Sequence, residues 1–87
     1  MSKIDKIVAL VVSDAQLLLD KDLDFTVTTD EVNRQISEID VHLCTLSSVL
    51  ACNVVKVSQA EDIMDKYSLL KFRRTSCKLH LQFFNKP

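Results

Sequence analysis

The chain has 87 residues, enough for one domain and no more. Apolar residues make up 47% and charged residues 26%, which is the balance of a globular chain; 11 basic against 12 acidic side chains disfavour both a generally basic nucleic-acid binder and a strongly acidic mimic. Gly is absent and the one Pro is Pro87. Gly-rich phosphate loops are thereby excluded, because their glycines are what let backbone approach phosphate.

Residues 3–20 read as a first helix, with Ser2 as N-cap and Asp5 at N3. Ile4, Ile7, Val8, Val11, Val12, Ala15, Leu18 and Leu19 form a wide apolar arc. Leu10 and Leu17 fall outside it, seven residues apart, and mark a second contact stripe. Over 23–28 the period changes to two. Leu23, Phe25 and Val27 alternate with Asp24, Thr26 and Thr28, the pattern of a short half-buried strand.

Thr28-Thr29-Asp30-Glu31 matches a capping box, with Val27 and Val32 at the staple positions. Val32, Ile36, Ile39, Leu43, Leu46 and Leu50 then repeat at 4-3-4-3-4 spacing, a narrow seam for packing along another helix. A helix over 29–52 is about 36 Å long, against a diameter of roughly 30 Å for a compact chain of this size. It must span the molecule, break, or pair with a second copy, and the narrow seam favours pairing.

Val54, Val55 and Val57 read as a β-rich connector, and Ser58-Gln59-Ala60-Glu61 as a second capping box. Ala60, Ile63, Met64, Tyr67 and Leu70 share one face of a third helix that ends within 71–74. Cys77, Leu79, Leu81 and Phe83 alternate with Lys78, His80 and Gln82, which reads as a closing strand. The expected fold is mainly α, of the α+β class: three helices and a two-stranded β element in the order α-β-α-α-β, one domain over 1–87. The alternative is an all-α three-helix bundle forming a homo-oligomer, with 77–84 helical.

Little in the chain carries catalytic chemistry. His42 and Cys44 face apart on a helix, and Cys77 and His80 point to opposite sides of a strand, so neither pair is a catalytic dyad. Cys77-x-x-His80 is half a zinc motif without a second half. Asp20, Asp22 and Asp24 lack the central Gly and terminal Glu of a calcium loop. No enzyme activity, cofactor or metal is expected. Three scattered cysteines suit a reducing cytoplasm better than a disulfide framework. The longest uncharged run, residues 41–55, is too short and too polar to cross a membrane.

Charge is uneven. Residues 1–53 carry 4 basic and 9 acidic side chains, and residues 54–87 carry 7 basic and 3 acidic, so the halves attract. The basic group Lys71, Arg73, Arg74 and Lys78 surrounds Phe72 and suits an anion or a partner's acidic surface. Residues 46–60 loosely resemble a helix-turn-helix, but the second helix opens with Glu61, Asp62 and Asp65, which repel phosphate. The apolar surface exceeds what so small a domain hides. The expected function is therefore a non-enzymatic protein-binding regulator, inhibitor or adaptor that acts as a homo-oligomer. Its partners are itself and another protein. The expected interface is Leu10, Leu17, Ile36, Ile39, Leu43, Leu46 and Leu50, with Lys71, Arg73, Arg74 and Lys78 as polar contacts. The alternatives are a helix-turn-helix or winged nucleic-acid regulator and an oligomer that sequesters a nucleotide-like ligand.

Overall fold

In the computed structural model, which describes residues 3–21, 28–52 and 54–84, the chain forms three helices: α1 (Lys3–Leu19), α2 (Thr29–Leu50) and α3 (Val57–Phe84). No described residue has a positive φ, in keeping with a chain that has no glycine.

Local chemistry sets the helix starts. Thr28 is extended (φ −65°, ψ 159°) and its hydroxyl accepts from the Glu31 backbone N–H at 3.3 Å, so the first half of the expected capping box forms. The Glu31 carboxylate does not reach back. It pairs with Arg34 instead, whose guanidinium hydrogen-bonds it and holds its pKa below the usual carboxylate value. α3 begins two residues earlier than the Ser58 box implies. The Lys56 backbone N–H donates to Gln59 Oε1 at 3.0 Å, which makes Lys56 the N-cap and Gln59 the N3 residue. Val57, expected in a β-rich connector, is the first residue of α3.

α3 runs antiparallel to α2 and parallel to α1. Gln59 Nε2 donates to Asp5 Oδ1 at 2.7 Å near the starts of α3 and α1, and Arg73 reaches the end of α1. Arg74 pairs with Asp40 from the middle of α2, an attraction between the basic and acidic halves. The core lies along the common axis. Val8, Ala15 and Leu18 come from α1, Val32, Ile36, Ile39, Leu46 and Val49 from α2, and Ile63, Leu70 and Cys77 from α3. Ile63, Leu70 and Cys77 are spaced by seven and are all 0% exposed. Ala60, Tyr67, Arg74 and Leu81 fill the intervening positions, half-buried, so α3 presents a 3-4 heptad seam to the seam of α2. Ala15, also 0% exposed, lets α1 approach closely.

Two expectations of the sequence are corrected. The closing strand over 77–84 is helix, and α3 continues ten residues beyond the expected limit at 74. Among the described residues there is no strand, so the α-β-α-α-β order fails and the all-α three-helix alternative fits. The strand-like alternation has a specific origin. Cys77 and Leu81 lie on the core face of α3, buried and half-buried, whereas Leu79 and Phe83 are 48% and 70% exposed. Two helical stripes offset by two residues produce a period of two. The other expected strand, 23–28, lies outside the described residues except for Thr28.

α2 neither breaks nor needs a second copy for its seam. It spans much of an elongated molecule of 52 × 17 × 15 Å, with a radius of gyration of 14.8 Å, longer than a compact sphere of this chain length. Leu46, 0% exposed within this interface, tests the packing. Leu46→Ala should cost about 2–5 kcal/mol in urea unfolding; a loss under about 1 kcal/mol means the site is not core.

Candidate protein-binding surface

Past residue 68, α3 is apolar on two sides. Opposite its core face, Leu69, Phe72, Ser76, Leu79 and Phe83 follow one another at 3-4-3-4 spacing, a second heptad stripe. It is open to solvent: Leu69 is 47% exposed, Phe72 74%, Leu79 48% and Phe83 70%. Ser76 Oγ donates to the Phe72 carbonyl at 3.2 Å and Thr75 Oγ1 to the Lys71 carbonyl at 3.0 Å. The Thr75 and Ser76 hydroxyls are therefore satisfied on their own helix, and covering them strands neither donor. Towards the start of α3 the stripe turns acidic, with Asp62 and Asp65 in the next two positions. Lys66 lies 3.6 Å from Asp62 and 3.5 Å from Asp65.

The expected interface residues are divided among different places. Leu10 and Leu17 are exposed on the outer side of α1, at 63% and 62%. Ile36, Ile39 and Leu46 are buried inside the single chain, and Leu43 and Leu50 pack half-buried against the same core. The seam they form meets α3 of its own chain. The sequence reading missed Leu69, Phe72, Leu79 and Phe83 as a set. Their heptad spacing was the available signal, and it was hidden by assigning 77–84 to a strand.

The basic group is largely committed. Arg73 donates to the carbonyls of Leu18 at 2.8 Å and Leu19 at 3.1 Å, and also to that of Lys21. It thereby closes the C-terminus of α1, where carbonyls lack partners within the helix. Arg74 holds Asp40. Lys71 Nζ sits 5.6 Å from the centroid of the Tyr67 ring. Lys78 is exposed. The first three cations each face an internal partner, which leaves Lys78 as the member with no such tie on this surface.

Neither of two clefts has the size of a small-molecule site. One, of about 190 Å³, lies among Leu18, Lys21, Glu31, Arg34, Glu38 and Arg73, where Arg34 pairs with both Glu31 and Glu38. The other, of about 200 Å³, lies among Ser47, Leu50, Met64, Tyr67 and Ser68. Ligand pockets usually occupy about 300–1,000 Å³. Among the described residues no group of three or more His, Cys, Asp or Glu is placed to hold a metal ion, and no helix is long and apolar enough to cross a membrane. Cys77 is enclosed in the core, where burial pushes its thiol pKa up against the opposing field of Arg73.

Comparison with protein-family models, curated proteins and solved structures finds no match for this chain.

Two outcomes follow from these positions. Arg73→Ala removes the guanidinium hydrogen bonds to the Leu18 and Leu19 carbonyls, of which Leu18 keeps the Lys21 backbone N–H at 3.3 Å, and should cost about 1–3 kcal/mol in urea unfolding, with Arg73→Lys recovering only part, since one ammonium cannot reproduce the fork. In native protein a thiol reagent should modify Cys44 and Cys52, both exposed, and spare Cys77 until denaturant is added. Mass spectrometry of the labelled peptides checks the order.

Proposed function

We propose that the chain is a non-enzymatic protein-binding module, a small regulator, inhibitor or adaptor, whose working surface is the outer face of α3. The observation that carries this reading is the exposed stripe of Leu69, Phe72, Leu79 and Phe83. Leaving two Phe rings and two Leu side chains in water on one helix face forgoes stabilisation at about 25 cal/mol per Å² of apolar surface. The gain is recovered when a partner covers them. Heptad spacing selects the partner's form, because knobs repeating at 3-4 intervals seat between the side chains of another helix. Exposed aromatic anchors are also the side chains that carry most binding energy at protein interfaces. The internal engagement of Arg73 and Arg74 leaves less charge for phosphate, which favours protein over nucleic acid as the partner class. Three free thiols suit a reducing, cytoplasmic setting.

The test is a matched capture from native host extract by the intact chain and by Phe72→Asp/Phe83→Asp, with circular dichroism confirming that both are helical. A protein held by the first and released by the second is the expected result. Equal capture by both overturns the assignment of this surface.

A further inference from the structure

Resting on the reading of α3 as a docking face, we infer that its occupant is a second copy of this chain, joined α3 to α3 in antiparallel orientation. The layers of an antiparallel helix pair set one stripe's first heptad position against the other's fourth. One alignment places Phe72 of each copy against Phe83 of the other, and Ser76 of each against Leu79 of the other. The ends of the contact are then aromatic pairs, worth about 0.5–1.5 kcal/mol each beyond their area. At the centre the small Ser76 leaves the volume that Leu79 of the other copy fills. The stripe is thus complementary to itself about a two-fold axis, as an isologous interface requires.

Charge chooses among the alternatives. The stripe's next two positions towards the start of α3 are Asp65 and Asp62. A parallel pair stacks Asp65 on Asp65 and Asp62 on Asp62 in successive layers, like charges in the least solvated part of the contact. The neighbouring antiparallel alignment, one heptad away, puts Phe83 against Asp65. The alignment with Phe72 facing Phe83 carries both aspartates past the described end of the opposite helix. Along one edge the stripe is flanked by Ser68, Thr75 and Gln82, which bring no charge to the pair.

The area is sufficient for a modest dimer. A Phe side chain buries about 150–250 Å². With Phe72 and Phe83 at 74% and 70% exposure, the two rings leave roughly 300 Å² of apolar surface open on each copy. Joining two copies covers four rings, both Ser76 and both Leu79 side chains and the flanking Thr75 and Gln82. The total is about 1,000 Å², the lower bound of a specific interface.

Sedimentation equilibrium of the full chain across about 1–100 µM, with spin labels on Ser68→Cys in a Cys44→Ser/Cys52→Ser background, tests both parts. The expected result is a shift from 9.9 kDa to twice that mass, abolished by Phe72→Asp and equally by Phe83→Asp in variants that remain helical. The labels should lie roughly 30 Å apart, since Ser68 and its counterpart are separated by 19 residues of axial rise in this alignment. Labels roughly 10–15 Å apart indicate parallel pairing and overturn the orientation. A monomer throughout overturns self-association, and in that case a host protein still released by Phe72→Asp/Phe83→Asp leaves the docking face itself standing. A dimer that survives both Phe substitutions but is lost on Leu10→Asp/Leu17→Asp moves the contact to α1 and overturns the inference.

Discussion

The antiparallel zipper between α2 and α3 is the contact on which the rest of the molecule depends. Val32, Ile36, Ile39 and Leu46 from one side meet Ile63, Leu70 and Cys77 from the other, and every one of them is buried. Neither helix hides these side chains alone, and two helices in contact still leave the third side open. α1 closes it with Val8, Ala15 and Leu18. Ala15 is the smallest of the buried residues and sets how near α1 can lie. Ile4, Val11, Val12 and Leu19 pack half-buried against the same core, and polar ties fix α1 near its two ends, at Gln59 and at Arg73.

This arrangement explains what becomes of the basic residues. A charged group beside a helix end is drawn to whatever partial charge that end leaves unpaired. Arg73 lies where α1 stops, and its planar fork suits several carbonyls at once. Arg74, one residue on, points to the other flank of α3 and meets Asp40. Adjacent arginines thus tie α3 to two different helices, which a cluster read along the sequence does not reveal. Among the described residues, the excess of acid in the first half and of base in the second is expressed within the chain in this ion pair.

Much of the fold was legible because it followed from one-face periodicity. α1, the cap at Thr28 and the α2 seam are each signalled by a single stripe or a single turn motif, and each forms near its expected limits. α3 defeated the same method because two stripes share it. Where Cys77 and Leu81 face the core and Leu79 and Phe83 face outward, every second residue is apolar, and alternation cannot distinguish that helix from a half-buried strand. The start of α3 slipped for a smaller reason: Gln59 serves as the N3 residue in place of Glu61. Of the candidate surface, Leu10 and Leu17 were visible as residues left over from an arc. The α3 stripe was not, because its second half had been assigned to the wrong element.

The two-sided character of α3 has a bearing on how its sequence can change. An ordinary surface helix has a broad wet side on which substitutions drift freely. Beyond residue 68 this helix keeps only narrow polar margins, and one of these is occupied by Arg73 gripping α1. Amino-acid replacement there has few neutral destinations: most positions answer either to the interior or to whatever lies against the outer stripe. This stretch is accordingly the part of the chain where tolerance should be lowest, although it contains much of its most exposed apolar surface.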